Sequence, residues 1–257
     1  MLLSVWHFPT IHSTMKNKLL RFILPLCFWT FLWWIGASIV DNSFLFPNVD
    51  ETVLALINLV AKPSFYLVIL LTTIRVLLGF LIGCVFGFIL AIICNKFSVF
   101  EALVAPIITI IKATPVASFI VLLWVMLSGD ALSVFIGFLM VMPIIWQNTM
   151  DAYSSIDKNL LEVTEIFEFS SKKKFKILIS PTLKKFLYPA IITSAGLAWK
   201  AEIAAEIIAY TKRSIGQGIN DAKYNMDTPT VFAWTLLIII FSILLELGTK
   251  KLLRRFK

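Results

Sequence analysis

The sequence predicts an all-α, polytopic membrane protein, and three observations carry that prediction. First, 59% of the 257 residues are hydrophobic and 15% are charged, where soluble domains run at about 45–50% and about 25%. Second, the apolar residues fall in runs of about 20, the length that crosses the hydrocarbon core. Third, the basic residues behind the net charge of +8 gather at the ends of those runs. That clustering orients membrane proteins and does not form a nucleic-acid-binding stripe. One soluble core cannot hold so much apolar surface, so the bilayer is the expected solvent.

The runs give about six spans. They lie near Leu19–Val40, within Phe65–Cys94, and near Ala102–Leu127, Leu132–Met150, Leu187–Tyr210 and Thr230–Leu247. Hydrocarbon offers no hydrogen-bond partners, so each is expected to be helical. The second run is long enough to begin with a helix at the outer interface. Residues 1–18 read as a cytoplasmic tail, with Met15 a second candidate start. The run after Lys18 is too long for a signal peptide's apolar region, and no small-residue cleavage site follows it. Residues 19–257 read as one transmembrane domain. Lys16, Lys18 and Arg21 precede the first span; Lys172, Lys173, Lys174, Lys176, Lys184 and Lys185 lie between the fourth and fifth; Lys250, Lys251, Arg254, Arg255 and Lys257 follow the last. An even number of spans puts all three clusters, and both termini, on the cytoplasmic side of the cell membrane. Pro106 and Pro115 interrupt the third span and Pro143 the fourth, which predicts kinked helices of the kind that enclose a path.

Charges at membrane depth are default functional candidates because each costs roughly 2.5–3.5 kcal/mol on insertion scales. Here they are Arg75, Lys112, Lys200, Glu202, Glu206 and Glu246. Arg75 lies close enough to a span end for its stem to snorkel outward, and Glu246 has Lys250 one helical turn on. Glu202 and Glu206, also one turn apart, share a face that should meet the bundle interior, a subunit interface or water, while Lys200 points elsewhere. Carboxylate pairs also serve acid–base catalysis, yet the histidines, His7 and His12, lie in the tail. The chain has no zincin, nucleophile-elbow or P-loop pattern. Cys27, Cys84 and Cys94 lack metal or redox spacing and read as small hydrophobes.

Residues 151–185 form a charged loop in this apolar chain. "IDKNLLEVTEIFEF" spaces Leu160, Leu161, Val163, Thr164 and Phe167 along one helical face, with Glu162, Glu165 and Glu168 between. "SSKKKFKILISP" reads as a second short helix, capped by Ser170 or Ser171 and ended or bent by Pro181. Such helices suit either an anionic lipid surface or a partner's groove.

The loop resembles the EAA loop of ABC-importer permeases, E-A-A-x3-G-x9-I-x-L-P. Glu162 stands at the glutamate, Val163 and Thr164 at the alanines, Leu178 at the isoleucine, Ser180 at the leucine and Pro181 at the proline, without a gap. Glu168 stands where that family has glycine, in the turn between the two helices. "FLFPNVDETVLALINLV", "TTIRVLLGFLIGCVFGFILAI" and "LAWKAEIAAEII" followed by "SIGQGINDA" are similar to segments of the branch that imports sulfonates, nitrate and taurine. The likeness runs from about Phe46 to the C-terminus.

The resemblance implies the type I ABC-importer permease fold, with its core at about 65–248. It implies a transport subunit, not an enzyme, in the inner membrane, working as two permease copies with two cytoplasmic ATPases and an extracytoplasmic solute-binding protein. This chain would hold no cofactor; ATP and Mg would sit on the ATPase. Leu161, Glu162, Val163, Thr164, Phe167, Glu168 and Pro181 would form the ATPase-coupling handle. Arg75, Lys112, Trp199, Lys200, Glu202 and Glu206 are the candidates for the translocation path or its gate. Two competing expectations are an ion-coupled carrier and an intramembrane enzyme, each built on Glu202 and Glu206.

Overall fold

The computed structural model describes residues 15–254, with side chains from Ile23 to Arg254, and all secondary structure there is helical. Helix α1 (Met15–Val40) leads through a turn to the short α2 (Val49–Val60), and α3 (Pro63–Lys96) follows. Helices α4 (Ser98–Ala113) and α5 (Val116–Trp124) precede α6 (Gly129–Ser154). Next come α7 (Lys158–Ile166) and α8 (Ser171–Lys174), then α9 (Ser180–Ile208), α10 (Ile215–Tyr224) and α11 (Thr228–Arg254). The helix expected at the start of the second run is α2, capped where the Glu51 carboxylate accepts from the Asn48 N–H at 2.9 Å.

At the centre, α6 lies between α3 and α9. The α3 face toward α6 is small: Gly79, Gly83, Gly87 and Ala91 recur one turn apart and are all buried. Gly79 faces Val134 and Gly137, Gly83 faces Phe138 and Val141, and Gly87 faces Met142 and Ile145. Both residue series rise together, so α3 and α6 run parallel. Without a hydrophobic drive inside lipid, such stripes let backbones approach and dispersion take over. Contacts of α9 with α3 run the other way: Glu206 meets Thr72, and Glu202 meets Gly79.

Four helices, α1, α3, α6 and α11, are long and apolar enough to cross a membrane. A fifth such span exists if α4 and α5, bent by 100° at their junction, count as one. Of the expected interruptions, only Thr114–Pro115 breaks a helix; Pro106 and Pro143 lie inside continuous α4 and α6. The remaining expected span, α9, is a 29-residue helix, about 44 Å at ~1.5 Å per residue. It falls short on apolarity because it carries Lys184, Lys185, Lys200, Glu202 and Glu206. Glu202 and Glu206 are buried among protein, while Lys184, Lys185 and Lys200 are exposed.

Pro181 does not end a helix. α8 passes into a π-helical turn, Phe175–Ile179, and then into α9, where Pro181 occupies the first turn. A proline there has no N–H to bond backward, and the widened turn accommodates it. The expected second short helix is thus the near end of α9's own rod. Ser170 is the residue that caps it, accepting from the Lys173 N–H. Cys94 is buried, Cys84 half-buried and Cys27 exposed, all unpaired.

Candidate functional site

Two places gather the chain's informative side chains, one at each end of the bundle. At the α10 end, Arg75 and Thr72 of α3 reach Glu206 of α9. The Thr72 hydroxyl donates to both Glu206 carboxylate oxygens, at 2.9 and 3.1 Å. Arg75 Nη1 donates to Glu206 at 3.0 Å, and its Nη2 pairs with Asp130 of α6 at 2.9 Å. The Gly216 N–H, in the first turn of α10, donates to the same Glu206 carboxylate at 3.3 Å. Thr72 Oγ1 also accepts from the Ile215 N–H at 3.2 Å. One carboxylate therefore ties α3 and α10 to α9, and Arg75 extends the link to the start of α6.

Burial fixes what this knot does. Glu206 is 0% exposed and Arg75 8%, whereas Asp130 has a 74% exposed side chain. Arg75 does not snorkel outward as expected; it turns into the bundle because Glu206 and the Lys212 carbonyl satisfy its guanidinium there. A buried ion pair is kept because losing one partner strands the other charge. The knot fixes architecture, and Arg75 with Asp130 also lines a cavity of about 620 Å³ between α3 and α6.

Glu202 is the harder residue. It is 0% exposed, and neither carboxylate oxygen has a hydrogen-bond partner. The carboxylate fills the crossing of α3, α6 and α9, lying so close to Gly79 and Gly137 that a Cβ on either would overlap it. Of the three environments open to the two glutamates, the bundle interior is the one both occupy.

The other path candidates separate. Trp199 is fully buried, donates its indole N–H to the Ile238 carbonyl at 3.0 Å and stacks on Phe241, fastening α9 to α11. Lys112 is exposed beside the α4–α5 bend, and Lys200 is exposed on α9; neither joins the knot. Glu246 pairs with Lys250 at 2.5 Å, as the spacing implied.

At the opposite end, α7 stands between α6 and α9. Asp157 caps its start by accepting from the Asn159 N–H at 2.9 Å. Its end is a Schellman arrangement: the Phe169 N–H bonds the Thr164 carbonyl at 2.9 Å, and the Glu168 N–H bonds the Glu165 carbonyl at 3.0 Å. That closure needs a left-handed residue, and Glu168 supplies it with φ of 47°. The residue at the family's glycine position thus adopts the backbone that glycine would take, at a conformational cost of roughly 1–2 kcal/mol. Beyond it, Lys173 lies over the Phe169 ring at 3.8 Å, and Lys174 reaches Glu165 at 3.7 Å.

The structure turns the coupling candidates in different directions. Glu162, Val163, Phe167, Glu168 and Pro181 face out. Thr164 is buried, donating to the Leu161 carbonyl at 2.7 Å, and Leu161 is half-buried. The outward apolar face is instead Leu160, Val163, Ile166 and Phe167, with Ile166 76% exposed. Sequence reasoning passed over Ile166, although its three-residue step from Val163 was the available signal. It also passed over the partners of Arg75 and Glu206, which only the fold supplies.

The family model for the "binding-protein-dependent transport system inner membrane component" matches residues 83–257. The aliphatic sulfonates transport permease protein SsuC of Bacillus subtilis is 24% identical over 234 residues, covering 90% of this chain and 82% of that protein. The taurine transport system permease protein TauC of Escherichia coli is 22% identical over 231 residues, covering 87% and 84%. An ABC transporter permease protein of Methanocaldococcus jannaschii is 21% identical over 245 residues, covering 91% and 90%.

Proposed function

The chain belongs to the family of inner membrane components of binding-protein-dependent transport systems, and from that premise we propose that it is the membrane-spanning permease subunit of an ATP-driven ABC importer for a small polar anion. The anion class rests on the relatives, whose names give aliphatic sulfonates and taurine as cargo. Two copies of the chain form the permease pair, two cytoplasmic ATPase subunits hold ATP and Mg²⁺, and an extracytoplasmic binding protein delivers solute. The termini and α7 lie on the cytoplasmic side, where the basic clusters are.

One observation carries the coupling role: α7 is capped at both ends by its own chain yet leaves Val163, Ile166 and Phe167 uncovered. An amphipathic helix with an uncovered apolar face is what a groove in a partner accepts. Glu162 and Glu165, exposed on the same helix, supply the polar rim. Joined through the chain to α6 on one side and through α8 to α9 on the other, a seated α7 would pass ATPase movement to both helices and so alternate access across the bundle.

The relatives, named as transport permeases, do not favour the carrier and enzyme readings, and Glu206 is already held by Thr72, Arg75 and Gly216. The test is co-purification of the chain with its ATPase. The ATPase is expected to come down with the wild type and to be lost from the Glu162→Arg, Phe167→Asp double variant. Retention by that variant would overturn the coupling role of α7.

A further inference from the structure

Lys200 raises a question that the buried knot does not answer. It lies well inside α9, is exposed, and among the described residues pairs with no carboxylate. Along the same strip of α9, Pro189, Thr193 and Leu197 are also exposed, and nothing lies within 4 Å of the space beside Gly196. Lipid is an expensive neighbour for a lysine at this depth, so the strip calls for water, an anion or the second permease copy, and the labelling test below separates the last from the first two.

The strip runs into a cleft. Helices α9 and α11 are fastened at Trp199–Ile238 and part toward the α7 end, leaving a cavity of about 840 Å³. Among the described residues its walls carry Lys185, Lys250 and Arg254, with Lys184, which is itself partnered, and one acid, Glu246, which is paired with Lys250. Thr193 lines the cleft, and Lys200 follows it on the same exposed strip of α9, two turns deeper. A deep cation above a basic vestibule gives one continuous field along α9, and low-dielectric walls focus such a field.

We propose that this strip and cleft form an anion-selecting exit toward the cytoplasm, with Lys200 as the residue that discriminates charge. The ligand class is a small organic or inorganic oxyanion, such as a sulfonate, met by Lys200 at depth and by the vestibule cations at release. Thr193 offers a hydroxyl between them, bonded only to its own helix at Pro189. The inference rests on the permease reading for the direction of transport, while the aqueous, cationic character of the cleft can be tested apart from it.

The test uses Thr193→Cys in the ATPase-bound complex, with the parent chain as background for Cys27, Cys84 and Cys94. Two thiol reagents of equal reach are compared: sulfonatoethyl methanethiosulfonate, an anion that is itself a sulfonate, and its trimethylammonium counterpart, a cation. The anion is expected to label the introduced thiol about tenfold faster or more. Lys200→Gln should abolish most of that preference and Lys200→Arg should keep it. A position that neither reagent reaches, or a preference unchanged by Lys200→Gln, would overturn the proposal. Absence of an ATPase from the same preparation would instead count against the permease reading, since labelling of the chain in membranes reads the cleft either way.

Discussion

The two ends of the bundle use similar residues to opposite purpose. At the α10 end, the acid Glu206 sits at 0% exposure with hydroxyl, guanidinium and backbone donors around it. At the α7 end, acids and large apolar side chains alternate on a helix whose backbone is capped while its face stays uncovered. A region that satisfies its own polar groups is architecture. A region that satisfies its backbone but leaves apolar side chains uncovered is shaped for something else. The contrast lies in what is left unsatisfied, since glutamates stand at both ends.

The sharpest way to break the comparison is to remove the guanidinium at the first end. Arg75→Ala strands Glu206 in the interior and is expected to cost about 3–5 kcal/mol, read as a lower unfolding midpoint of the detergent-solubilised chain. Asp130→Asn touches only the exposed arm and should cost under about 1 kcal/mol. Equal midpoints for Arg75→Ala and the wild type would show that the knot does not hold the fold.

Next in size is the crossing beneath the knot. Gly137→Ala drives a methyl into the Glu202 carboxylate and should cost about 1–3 kcal/mol. Adding Glu202→Ala should return part of that loss, because only Glu202 side-chain atoms stand nearest that position. Gly79→Ala should resist the same rescue, since the Val134 carbonyl also occupies its space. If both glycine variants respond alike to Glu202→Ala, the packing account of this crossing is wrong.

At the other end the signs change. Ile166→Asp with Phe167→Asp should leave the unfolding midpoint within about 0.5 kcal/mol of wild type while weakening ATPase association about tenfold or more, ~1.4 kcal/mol. A large stability loss would mean that the α7 face is covered within its own chain. The smallest effect is expected from Glu168→Gly, which relieves the left-handed strain and should stabilise the α7 terminus by about 1 kcal/mol. Slower amide exchange at Phe169 would register it.

Much of this was legible in the chain. Apolar run length placed α1, α3, α6 and α11, and the four-residue step put Glu202 and Glu206 on one face. The Glu162-to-Pro181 spacing located α7 and the turn at Glu168. A further legible signal, the recurrence of Gly79, Gly83, Gly87 and Ala91 at one-turn intervals, marks the α3–α6 contact and went unread. What misled was local too: Pro181 reads as ending or bending its helix because a π-helical turn leaves no mark in composition, and Arg75 reads as able to snorkel because its partner is 131 residues away.

By itself the sequence determined the solvent, the helical class, the places of α1, α3, α6 and α11 and the amphipathic loop, because each depends on periodicity or charge within a few turns. Only the tertiary structure decided that Arg75 turns inward, that Glu202 rests against two glycines, and that Thr164 points in while Ile166 points out. It also parted α9 from α11 to open the basic cleft below Lys200. Those outcomes depend on which helix lies beside which, and close approach between distant segments is a property of packing that no local period encodes.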